Sequence, residues 1–290
     1  MILTAVAILG GVGLVFGTLI ALANRRLKVW EDPRIDVVND MLPGANCGAC
    51  GEPGCRAFAE KLVGGSTQPA GCNVAAEDIR QQIAAYLGVD AGSAVKLGAR
   101  LLCAGGAHVA RQQAEYRGYA TCAAAAAVAG GGKGCAWGCL GLADCVRSCT
   151  FDAMWMSAEN LPLVDLDKCT ACGDCVEACP KDLLAIMPLD RHLVVQCRNL
   201  IAGDAILEDC KVACTACGKC VADAAPGLIS VESGLAVVDY QLNEQAAPAA
   251  IARCPTGAIV WLPGVQLNGI IAGDGTDAAA NAASLIGSAT

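Results

Sequence analysis

The first 24 residues, Met1 to Asn24, carry no charged side chain, and Arg25, Arg26 and Lys28 follow at once. A helix of about 20 apolar residues crosses roughly 30 Å of hydrocarbon, so the pattern predicts a membrane-spanning helix within residues 1–28. A cleavable signal peptide carries its positive charge before the apolar run; here the charge comes after it. The basic flank predicts that everything beyond it lies on the cytoplasmic side. Gly13, Gly17 and Ala21 set small residues at every fourth position, a face on which another transmembrane helix can pack closely. Farther on, Ile79, Ile83 and Leu87 recur every four residues within Glu77–Leu87. That is an amphipathic helix, opened by acids and stopped by Gly88. Val95 to Leu101 alternates like a strand, and Ala123 to Ala129 predicts a helix ending at Gly130-Gly-Gly. Beyond Leu262 the chain is rich in Gly, Ala, Asn, Asp and Ser, the composition of a flexible tail.

Cysteine changes this picture most. There are 20 cysteines in 290 residues, while only 4% of residues are aromatic. The core cannot be built from large rings, and metal ligation is expected to replace part of it. The cysteines gather in C-x-x-C runs and lack the scatter of a disulfide scaffold, which fits a reducing compartment. A net charge of −8 with pI near 4.8 excludes nucleic acid as an expected partner. It suits instead a protein partner with a positive docking patch.

Cys169, Cys172, Cys175 and Cys179-Pro180 spell C-x2-C-x2-C-x3-C-P. In bacterial ferredoxins three thiolates at that pitch hold one [4Fe–4S] cluster, and the fourth ligates the neighbouring cluster. Zinc favours paired C-x2-C elements with long spacers. Cys149 is the expected fourth ligand beside Cys169, Cys172 and Cys175, and Cys179 is expected with Cys135, Cys139 and Cys145. A shift of 75 residues lays Cys135, Cys139 and Cys145 on Cys210, Cys214 and Cys220, and Cys179-Pro180 on Cys254-Pro255. This internal repeat leaves Cys214, Cys217 and Cys220 intact, with Cys254 to close their cluster. The other half is gone: the positions matching Cys149, Cys169, Cys172 and Cys175 are Ala224, Glu244, Ala247 and Ala250. All four belong to one site under cross-ligation, so the second repeat reads as a two-cluster unit that has shed one cluster whole.

A separate set, Cys47, Cys50, Cys55 and Cys72, lies among Gly48, Gly51 and Gly54, which let backbone amides turn toward a cluster. Sixteen cysteines are thus assigned to four [4Fe–4S] clusters. Cys103, Cys122, Cys197 and Cys210 remain, either as buried thiols or as a fifth site. Gly130-Gly-Gly-Lys133-Gly134 lacks the spacing and Ser/Thr of a phosphate loop. His108 and His192 have no second histidine at ligand spacing, and no Ser/His/Asp or paired-acid arrangement marks a substrate-converting site.

The expected fold class is α+β: one N-terminal transmembrane helix, a small helical [4Fe–4S] module and two bacterial-ferredoxin-like repeats. The expected segments are an anchor at 1–28, a four-Cys module at 29–90 and an Ala/Gly-rich connection at 91–133. A two-cluster repeat follows at 134–190, a repeat with one cluster lost at 191–262, and a tail at 263–290.

The apolar N-terminus, the run from Leu42-Pro-Gly-Ala-Asn-Cys to Glu52-Pro-Gly-Cys55, the run from Cys135-Ala-Trp-Gly-Cys to Cys145, and the ferredoxin motifs follow in that order. Together they resemble the B-subunit family of Rnf (also called Rsx) ion-translocating electron-transport complexes, over residues 1 to about 262. The resemblance implies one component of a translocase, single-pass in the cell (inner) membrane. It would pass electrons between ferredoxin and the membrane subunits, while NAD reacts elsewhere and Na+ or H+ is pumped. The missing thiols at Ala224, Glu244, Ala247 and Ala250, and Thr150 where Pro is usual, depart from longer relatives. An electron-transfer subunit of another membrane oxidoreductase and a zinc-stapled interaction module remain as alternatives.

Overall fold

The computed structural model describes residues 2–27, 31–264 and Gln266. Lys28 and nearly all of the expected tail lie outside the described residues. The uncharged N-terminal run forms one helix, α1 (Ile2–Leu27), with Arg25 and Arg26 in its last turn. Its Ile8–Leu27 stretch is long and apolar enough to cross a membrane, and none of that stretch is buried in the protein.

The four-Cys module is helical: α2 (Arg34–Met41), α3 (Cys55–Val63) and α4 (Glu77–Leu87). Val38, Leu42, Phe58, Ala59, Leu62 and Ile83 form its core. Helix α4 stops where Gly88 turns left-handed at φ 68°, a conformation that glycine adopts without a Cβ penalty.

Two β-closed units follow. In the first, β1 (Leu97–Leu101) pairs antiparallel with β4 (Leu184–Pro188), from Leu97 opposite Pro188 to Leu101 opposite Leu184. Between them lie α5 (Cys122–Ala127), α6 (Asp144–Ser148), the hairpin β2 (Met154–Met156) with β3 (Pro162–Val164), and α7 (Asp174–Glu177). In the second, β5 (Leu193–Val195) pairs antiparallel with β8 (Ile259–Trp261). They enclose α8 (Lys219–Asp223), the hairpin β6 (Ile229–Glu232) with β7 (Leu235–Val238), and short 3₁₀ turns. The sequence repeat begins at residue 134, but the strand that closes the first unit lies upstream, within 91–133. The 3.6- and 2-residue patterns mark single elements; they do not tell which distant strand an element will meet.

The two units share structure. Leu102, Met187, Val194 and Leu262 form one small core. Ala104 N–H donates to Gln196 O at 3.0 Å, continuing from β1 to β5. Residues 109–111 run antiparallel to 209–211 through a bridge between Ala110 and Cys210. Gln266 is buried, and its amide pairs with both the N–H and the C=O of Leu101. It covers an edge of β1 that would otherwise expose unpaired backbone. Buried Arg100 on the same strand donates to Gly264 O at 2.7 Å.

Candidate metal centres

In the helical module, Asn46 sits at φ 47°, and its Oδ1 accepts from Cys55 N–H at 2.9 Å. This satisfies an otherwise free donor in the first turn of α3 and fixes Cys55 beside the loop that carries Cys47 and Cys50. Cys50, Cys55 and Cys72 pack against the module's core. Burial, then the neighbouring Cys72 and Cys47 thiols, push the Cys50 thiol upward.

Cys149, Cys169, Cys172 and Cys175 line one pocket of about 320 Å³ with Ala171 and Gly173. Ala171 lies at φ 63° and Gly173 at φ 97°. Left-handed backbone on both sides of Cys172 curls the loop and turns its amides toward one concavity, a shape that suits an anionic group. Non-glycine residues rarely adopt this conformation, at a cost of about 1–3 kcal/mol each. Ala216, in the matching loop of the second unit, shares it at φ 55°.

Cys214, Cys217, Cys220 and Cys254 line a second pocket of about 380 Å³, floored by Val195, Ala236 and Ile259. Cys217 is exposed, while Cys214 and Cys220 are buried. Sequence-distant Cys254 arrives here because the turn before β8 packs against α8.

A third pocket of about 390 Å³ holds Cys139, Cys145 and Cys179, and its fourth thiol is Cys122. The spacing of the motifs predicts Cys135 there. Helix α5 delivers Cys122 instead. Thr121 caps that helix, accepting from Ala124 N–H, and Asp144 at the start of α6 accepts from Ala123 N–H at 3.0 Å. Cys135 lines a fourth pocket of about 320 Å³ with Cys103, Cys197 and Cys210. Nothing in the spacing points to this exchange; the loop of residues 105–132 makes it.

The donor chemistry of these pockets fits iron–sulfur clusters. Burial first, then neighbouring thiols, push Cys139 and Cys175 up to about 12, and Cys145 and Cys220 up to about 11. Sets of this kind stay protonated without a compensating cation, and iron binding releases the protons. Asn199 N–H donates to Cys197 Sγ and Leu183 N–H to Cys179 Sγ, each at 3.4 Å. Such N–H···S bonds favour thiolate and orient a ligand. Among the described residues no three His, Cys, Asp or Glu side chains converge on one ion-sized point; the sulfurs surround a space. His108 pairs with Glu159 at 3.0 Å, and His192 Nδ1 lies 2.9 Å from Leu262 O.

The centres adjoin one another. Asn73, next to Cys72, donates to Thr170 O at 3.0 Å, between Cys169 and Cys172. Helix α6 carries Cys145 into one pocket and leads straight to Cys149 in the next.

Comparison with known proteins agrees with this chemistry. A family model described as a putative Fe-S cluster matches residues 42–80, and a 4Fe-4S binding domain model matches residues 162–184. The B subunit of the Na(+)-translocating ferredoxin:NAD(+) oxidoreductase complex of Acetobacterium woodii is 42% identical over 89% of this chain and 77% of its own length. The B subunit of the proton-translocating ferredoxin:NAD(+) oxidoreductase complex of Clostridium ljungdahlii is 39% identical over 86% of this chain and 88% of its own. That of the ion-translocating oxidoreductase complex of Methanosarcina acetivorans is 35% identical over 89% and 98%. With this identity along most of both chains, this protein belongs to the B-subunit family of Rnf-type ion-translocating ferredoxin:NAD+ oxidoreductase complexes.

Proposed function

We propose that this chain is the membrane-anchored iron–sulfur carrier of an Rnf-type complex, passing electrons between ferredoxin and the membrane subunits. The observation that carries the proposal is the grouping of cysteines, four at a time, around adjoining pockets of similar size. The names of the relatives, with Na(+)-translocating and proton-translocating ferredoxin:NAD(+) oxidoreductase complexes among them, support it.

When bound, [4Fe–4S] clusters supply reversible one-electron chemistry that needs no nucleophile or proton donor. The chain's residues do the rest. Cys47, Cys50, Cys55 and Cys72 hold one cluster, and Cys149, Cys169, Cys172 and Cys175 a second. Cys122, Cys139, Cys145 and Cys179 hold a third, and Cys214, Cys217, Cys220 and Cys254 a fourth. Apolar side chains such as Val195, Met154 and Leu184 keep water from the pockets. The acidic body disfavours added negative charge and so lowers reduction potentials. The two β-closed units are bacterial-ferredoxin-like repeats. Helix α1 spans the membrane once, with Arg25 and Arg26 at its cytoplasmic end.

The full chain, purified anaerobically, should show broad visible absorption with iron and sulfide in equal amounts, and should bleach when reduced ferredoxin is added. A colourless, zinc-bearing protein would overturn the proposal. A C-terminal reporter should face the cytoplasm; an outward-facing reporter would overturn the topology.

A further inference from the structure

We infer that Cys103, Cys135, Cys197 and Cys210 form a fifth [4Fe–4S] site, held two-and-two by equivalent cysteines of the β-closed units at the seam between them. The inference rests on the carrier function proposed above and extends it to thiols outside the four sets named there.

The seam pocket has the properties of the others. It spans about 320 Å³, partly open to the surface, as does the pocket of Cys149, Cys169, Cys172 and Cys175. All four of its cysteines are buried. A thiol-rich apolar core would close on itself at interior packing density; these sulfurs line an opening instead. A Cβ on Gly105 would lie 3.1 Å from Cys210 Sγ and 3.6 Å from Cys103 Sγ, so the wall is cut back to backbone beside two of the sulfurs. Gln196, which lines the pocket, is 1% exposed, and neither its Nε2 nor its Oε1 has a partner. An unpaired buried amide is destabilising; the sulfur of a bound cluster gives its N–H an acceptor.

The two units match at the seam. Cys103 lies two residues beyond β1, and Cys197 two residues beyond β5. Cys135 lies four residues before Cys139, and Cys210 four residues before Cys214. Cys139 N–H donates to Cys103 Sγ at 3.5 Å. Its counterpart, Cys214 N–H, donates to Cys197 Sγ at 3.4 Å. Each unit therefore offers the seam one thiol two residues after its opening strand and one four residues before a ligand of its own cluster, and the N–H of that ligand donates to the strand thiol in both.

Those two N–H groups belong to cysteines of the flanking centres. The seam site thus stands between the Cys122, Cys139, Cys145 and Cys179 pocket and the Cys214, Cys217, Cys220 and Cys254 pocket. With the Asn73–Thr170 contact and α6, it completes one continuous row of centres from the helical module to the second unit.

The test uses the full chain, purified anaerobically and reconstituted with iron and sulfide. Five cubanes predict about 20 irons per chain, and Cys103→Ala or Cys210→Ala should each lower that to about 16. About 16 irons in the unaltered chain, unchanged by both substitutions, overturns the fifth site and leaves the carrier function standing. Zinc in place of iron, or no iron, overturns the carrier function itself. Gln196→Leu guards against an alanine variant that does not fold. Iron content should stay full while one EPR signal shifts in a redox titration; full iron with every signal unmoved overturns the seam site.

Discussion

The first and second β-closed units share strand pairing, an internal hairpin and a Cys-loop followed by a short helix, yet they solve one problem differently. In the first, α6 faces α7 across the pockets, and Cys175 enters from α7. In the second, the matching position is Ala250 on the 3₁₀ turn Pro248–Ile251, which packs directly on α8 and is 1% exposed. Ala224 and Ala246 join the same core. Arg253 adds a doubly bonded ion pair to Asp223, where the first unit has Ala178 and Ser148. Where the first unit carries thiols, the second fills matching positions with small apolar side chains packed on α8.

The comparison is broken most severely at Cys254. Cys254→Ala should remove or convert the only cluster that lies within the second unit, lowering iron by up to about four per chain. Cys179→Ala should cost the first unit one centre and leave the Cys149, Cys169, Cys172 and Cys175 signal intact. Iron analysis with EPR separates the two; a second unit that keeps its signal without Cys254 would refute the grouping. Next comes the exchange of cysteines. Cys122→Ala should perturb the signal of the Cys139, Cys145 and Cys179 centre, and Cys135→Ala should spare it. The reverse pattern would restore the grouping that spacing alone suggests.

A smaller effect follows from putting thiols back. The variant Ala224→Cys, Glu244→Cys, Ala247→Cys and Ala250→Cys should bind no additional iron, because Ala250 is buried on a turn that packs against α8. The added bulk at Ala250 should lower stability by about 1–3 kcal/mol in a denaturant titration. A gain of about four irons would mean that the space survives without its cluster. The smallest effect belongs to Arg253→Ala. The Arg253 side chain beside Asp223 holds that carboxyl below its ordinary value of 3.8. A depressed carboxyl contributes stability above its unfolded value, lost as pH falls through the acid range. The pair is exposed and screened. Melting curves of the two proteins should differ slightly near pH 7 and converge below pH 3.8; a gap that widens in acid would contradict the assignment.

Much of this is legible in the sequence. The juxtaposition of Cys254 with Cys214, Cys217 and Cys220 follows from cross-ligation and the repeat, since both depend on loops of fixed length. Helix α4 follows from Ile79, Ile83, Leu87 and the stop at Gly88. The partition of Cys122 and Cys135 is not legible. It depends on where the excursion of residues 105–132 comes to rest, and that is decided by Thr121, Asp144 and the pairing of 109–111 with 209–211. No local periodicity encodes those contacts. Cys103 and Cys197 carry one usable signal that motif spacing does not hold: each stands two residues past an opening strand.

The pairing of residues 109–111 with 209–211 also sets an order of events during synthesis. At roughly 5–20 residues per second, Ala110 waits on the order of 5–20 s before Cys210 exists to meet it. The helical module and much of the first unit can settle in that interval, from contacts already made. The seam cannot, and contacts of such long sequence separation close slowly in any case. A nascent or truncated chain ending before Cys197 would hold Cys103 and Cys135 as open, oxidisable thiols. The seam thus waits on the second unit, of which Cys254 and β8 are made later still.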